Sequence, residues 1–85
     1  MGLDFKLIMN YIDLHGMKHD EALLKTENAL LKASTQRGMV FEIITGNSII
    51  LQQKIIKEIL GKHNFSYYIP SENLGMIIVS DNTIY

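Results

Sequence analysis

The chain has no cysteine and no tryptophan, one proline (Pro70), one arginine (Arg37) and no excess charge of either sign. Without cysteine there is no disulfide scaffold, no thiolate zinc finger and no cysteine nucleophile, and the chain suits a reducing, cytoplasmic setting. Eight Lys and Arg stand against nine Asp and Glu, a formal net charge of −1. Proteins that coat nucleic acid by bulk charge are basic, because neutralising phosphates supplies that affinity, so any such contact here is local. No apolar run approaches the about 20 residues needed to span a bilayer. The stretch from Met1 to Asn10 carries Asp4 and Lys6 among its apolar side chains and lacks a signal-peptide layout, so no membrane partner is expected.

What is present is 85 residues, 47% of them hydrophobic. That content is too apolar for a disordered chain and sufficient for one core. No repeat, linker or low-complexity run appears, and we expect a leader over residues 1–9, one domain over 10–80 and a tail over 81–85. Tyr11 to His15 alternates as a strand, with Ile12 and Leu14 on one face and Asp13 and His15 on the other. From Asp20 to Ser34 the period becomes helical, with Ala22, Leu23, Thr26, Ala29, Leu30 and Ala33 on one apolar face. After a loop from Ser34 to Gly38, Val40 to Thr45 is a β-branched and aromatic strand. Asn47 or Ser48 can cap the next helix, whose core side is Leu51, Ile55, Ile56, Ile59 and Leu60, and Gly61 can close it in the left-handed conformation. Phe65 to Ile69 and Met76 to Ser80 are strands joined by a hairpin loop from Pro70 to Gly75.

The order is β-α-β-α-β-β. Right-handed crossovers make the first two strands parallel with both helices on one face. The expected fold is an α/β two-layer sandwich, a four-stranded mixed sheet with its other face open. Ligands on such sheets sit beyond the carboxyl ends of parallel strands.

Two turns lie at that end, Asp13-Leu14-His15-Gly16 and Thr45-Gly46-Asn47-Ser48. A carboxylate and an imidazole on one strand face can act together on a ligand, and histidine exchanges protons near neutrality. The plainer alternative is a turn histidine tied to backbone, with Asp13 making an Asx-type bond. Gly46-Asn47-Ser48 leads into a helix whose free N–H groups can hold a phosphate, with ordinary capping as the alternative. The turn lacks the lysine and second glycine of a P-loop, so hydrolysis of nucleoside triphosphates has no support. His15 and His19 are four apart but separated by the Gly16 turn, which rules out a helical zinc pair. Lys54, Lys57, Lys62 and His63 form a mild basic cluster that reads as a solvated helix face.

The two turns resemble those of the Smr (small MutS-related) domain, whose first strand ends in Leu-Asp-Leu-His-Gly and whose second ends in His-Gly-Lys-Gly or a relative. Here they stand as Ile12-Asp13-Leu14-His15-Gly16 and Thr45-Gly46-Asn47-Ser48, and the likeness covers residues 10 to 80, with Gly75 before the last strand matching as well. Thr45 stands where histidine is usual, Asn47 where a basic residue is, and Ser48 where a glycine is. The resemblance implies a sandwich similar to the C-terminal domain of bacterial translation initiation factor three, and endonuclease activity on RNA or DNA. It places the Asp-x-His pair on Asp13 and His15.

Our leading expectation is a nucleic-acid-binding domain with endonuclease activity, RNA favoured over DNA. His15 acts as general base or acid and Asp13 orients its ring. On RNA the 2′-hydroxyl becomes an internal nucleophile and no cofactor is required; DNA needs an activated water, usually with Mg²⁺. Only Asp13 offers a carboxylate ligand, which favours RNA. Gly16, Lys18, Thr45, Gly46, Asn47, Ser48 and Lys54 are expected to meet the nucleic acid, with Lys18 and Lys54 as the cations. The competing expectation is a non-catalytic module with a degenerate site, binding a nucleic-acid end or the ribosome through the open sheet face. A third is a structural interaction domain whose Asp-x-His turn is a relic.

Overall fold

The computed structural model describes residues 10–36 and 38–80. The expected leader (1–9), Arg37 and the expected tail (81–85) lie outside the described residues. Along the chain run β1 (Asn10–Asp13), α1 (His19–Ala33), β2 (Val40–Ile44), α2 (Ile49–Ile55), β3 (Ser66–Tyr68) and β4 (Met76–Ser80). The sheet order is β1-β2-β4-β3. β1 and β2 are parallel, with Ile12 opposite Ile43; β4 runs antiparallel to both β2 and β3. The sheet is therefore mixed, as the element order implied.

Period-2 alternation in the strands decides where the helices sit. Phe41 and Ile43 of β2 are buried beside Val79 and Ile77 of β4, and they share one cluster with Ala22 and Leu30 of α1 and Leu51 and Ile55 of α2. Both helices thus cover the same face. The other face carries Tyr11, Glu42, Ile78 and Tyr68 in register across all four strands. Tyr11 and Tyr68 stand exposed there.

Three expectations need correction. The helix after Ser48 does not end in a left-handed Gly61, whose φ of −67° is helical. Instead α2 runs on into a π-helical turn over Ile56–Leu60, in which Gly61 N–H donates to Ile56 O at 2.9 Å. The helix ends at Leu60 with Gly61 as its C-cap, and the left-handed position falls on Asn64, at φ 60°. The third strand is shorter than expected, since Phe65 and Ile69 leave the ladder to pack on the core. The basic cluster is not a purely solvated face either. His63 Nε2 lies 2.6 Å and Lys62 Nζ 3.2 Å from Glu27 Oε2, tying α1 to the segment after α2.

Candidate functional site

β1 stops at Asp13 because that residue's own carboxylate turns the chain. Leu14 N–H still donates to Ile44 O at 2.8 Å, but His15 N–H donates to Asp13 Oδ1 at 3.1 Å. The same oxygen lies 2.7 Å from His15 Nδ1. The Asx turn and the Asp–His pair, alternatives in the sequence, are one structure. An ionised carboxylate only accepts, so Nδ1 carries the proton and Nε2 is the free position of the ring. The hydrogen bond to His15 holds the Asp13 carboxyl below its ordinary range, helped by the His15 backbone N–H. The same bond pushes the His15 imidazole above its ordinary value. The pair is open to solvent, with His15 73% and Asp13 45% exposed at the side chain.

Leu14, fully buried, anchors this turn to the core and sends its two neighbours outward. The second turn is held from behind. Thr45 and Gly46 N–H groups both donate to Gly75 O, at 2.8 and 3.1 Å, and Thr45 Oγ1 donates to the same oxygen at 3.2 Å. Gln52, buried on the core side of α2, donates from Nε2 to Thr45 Oγ1 at 3.3 Å and to Leu74 O at 3.0 Å. Gly46 is required twice over. Its φ is 65°, and a Cβ there would lie 3.2 Å from His15 Cβ. The two turns are thus packed against each other.

The family model of the Smr domain matches residues 12–72. The chain belongs to the Smr domain family. The match opens on the Asp13–His15 turn and runs through the Gly46 turn to the loop before β4. Smr domains are of nucleic-acid-binding, nuclease type. No curated protein and no solved structure matches the chain.

In this Smr domain the expected contact residues separate into two groups. Gly16, Lys18 and Asn47 are exposed beside His15 and Gly46, and Gly46 itself is half-buried. Thr45, 2% exposed, has its hydroxyl engaged with Gly75 and Gln52 and holds the turn from inside. Ser48 caps α2, its Oγ accepting Leu51 N–H at 3.2 Å, so the capping alternative describes it. Lys54 is half-buried on α2, and neither it nor Lys18 pairs with Asp13 among the described residues. The lysine whose charge helps to hold Asp13 ionised is Lys25 of α1, the smallest of the contributions. Among the described residues no three His, Asp or Glu gather as a metal site, and no helix is long and apolar enough to cross a membrane.

Gln52 joins the site only through the fold, although the sequence holds a signal for it. It sits three residues before Ile55 and seven before Ile59, on the buried stripe of the helix. A polar residue on such a stripe needs a buried partner.

Proposed function

We propose that this Smr domain is a metal-independent endoribonuclease in which His15 is the general base and Asp13 holds its ring. The observation that carries this reading is the 2.7 Å contact between His15 Nδ1 and Asp13 Oδ1, which leaves Nε2 free toward solvent at the end of β1. A base at that position takes the proton of an RNA 2′-hydroxyl, and the resulting alkoxide attacks the adjacent phosphorus. Asp13 stabilises the imidazolium that forms. The exposed Gly16, Lys18 and Asn47 border the pair and are the proposed contacts for the sugar-phosphate chain. Cytoplasmic RNA is the expected substrate.

A second reading, binding without catalysis, draws on the open face. Tyr11 and Tyr68, 62% and 61% exposed, offer aromatic surfaces on which unpaired bases of a nucleic acid or of the ribosome stack. The net charge of −1 and the uncharged Asn47 also favour it.

Cleavage of a structured single-stranded RNA and of supercoiled DNA, each with Mg²⁺ or EDTA, separates the two. The proposal expects RNA cleavage by wild type in EDTA and none by His15→Ala. Binding of both nucleic acids with no cleavage by wild type leaves only the binding module. Nicking of DNA that EDTA abolishes replaces the metal-independent mechanism with one using activated water.

A further inference from the structure

Cleavage of RNA through its 2′-hydroxyl moves two protons. One leaves the attacking oxygen and another must reach the departing 5′ oxygen. His15 accounts for the first. The segment from His15 to His19 meets the second turn at both of that turn's ends. His15 Cβ abuts Gly46, and His19 Nε2 lies 3.5 Å from Ser48 Oγ. Two histidines therefore meet the second turn, His15 through its Cβ at Gly46 and His19 through its ring at Ser48. His19 opens α1 and is half-buried, with its ring turned to the second turn. Ser48 Oγ already accepts Leu51 N–H through one lone pair, and its second lone pair can accept an Nε2–H from His19. At 3.5 Å that contact is long enough to yield to a substrate oxygen. Among the described residues no carboxylate lies within ion-pair distance of His19.

We infer that His19 is the second proton-transfer residue of this site, donating from Nε2 to the 5′ oxygen as it leaves. The inference rests on the ribonuclease reading above. The step balances without a metal or co-reactant. The O2′–P bond forms and the P–O5′ bond breaks; the O2′ proton ends on His15 and the His19 proton on O5′. The products are a 2′,3′-cyclic phosphate and a 5′-hydroxyl. Proton transfer between the two rings through solvent then restores both.

The test uses a DNA oligonucleotide with one ribonucleotide at the position wild type cuts in RNA, made with either oxygen or sulfur at the 5′ bridging atom. A thiolate departs without being protonated, so sulfur removes the need for an acid while keeping the need for a base. His19→Ala is expected to lose about 10²–10⁴-fold on the oxygen substrate and to cut the sulfur substrate nearly as fast as wild type. His19→Gln, which can keep a hydrogen bond to Ser48 but delivers no proton, is expected to do the same. His15→Ala is expected to lose on both. Equal losses of the His19 variants on the two substrates, or none on either, overturn the assignment. Failure of wild type to cut any RNA removes the ribonuclease reading, and this assignment with it.

Discussion

Gly75 lies so close to Gly46 that a Cβ on Gly75 would stand 2.7 Å from the Gly46 carbonyl oxygen. Real side chains do not approach backbone that closely, so the loop before β4 and the turn after β2 meet only because Gly75 has no side chain. That contact, with the three bonds accepted by Gly75 O, fixes the floor against which His15 rests.

Gly75→Ala should therefore overpack the junction, with a loss of about 1–3 kcal/mol. Gly46→Ala should cost about 1–2 kcal/mol from the left-handed backbone, besides crowding His15. Urea unfolding of both variants measures the stability loss. Cleavage assayed well below the unfolding transition should also fall for both, since the support of His15 shifts.

Gln52→Leu keeps the volume of its stripe but leaves the buried Thr45 Oγ1 without its donor. The expected cost is about 1–3 kcal/mol by thermal or urea unfolding. Amide exchange at Thr45 and Gly46, whose N–H groups bond to Gly75 O, should accelerate in the same variant.

Thr26 is fully buried on α1, and its Oγ1 has no hydrogen-bond partner among the described residues. Thr26→Val replaces that hydroxyl with a methyl of similar size. The variant should be more stable by about 1 kcal/mol, read as a raised urea midpoint with an unchanged slope.

Two carboxylates bring a pH dependence, each with a determinate sign. Hydrogen bonds from His63 and Lys62 hold the Glu27 carboxyl below its ordinary range. A depressed carboxyl stabilises the fold above its unfolded pKa and ceases to do so as pH falls through the folded one. Acid unfolding of Glu27→Gln should thus be less steep than that of wild type, and its stability lower at pH 7. At the site, the hydrogen bond to Asp13 raises the His15 imidazole, so the neutral base forms at a higher pH than in an unpaired histidine. Asp13→Asn should move the limb of the cleavage pH profile set by His15 to lower pH.

How much of this was legible depends on the range of the interaction. β4 runs over Met76–Ser80 as read, because a β-branched run bounded by Gly75 needs no distant partner to declare itself. The burial of Leu14 between exposed Asp13 and His15 followed from alternation alone. The second helix ends before Gly61 as read, but its π turn at Ile56–Leu60 and the helical φ of Gly61 had no local signal. Glu27 meets Lys62 and His63 across 35 and 36 residues, a separation that no local pattern reports. At the site, the Asp13–His15 pair was visible because its spacing is local. Gln52 behind Thr45, and His19 beside Ser48, required the fold to bring separate segments together.

The chemical ends left on cleaved RNA test the account most directly. RNA cut by wild type in EDTA should carry a 2′,3′-cyclic phosphate on one fragment and a 5′-hydroxyl on the other. A 5′-phosphate with a free 3′-hydroxyl would mean that water, not the 2′-oxygen, was the nucleophile, and would contradict the role given to His15.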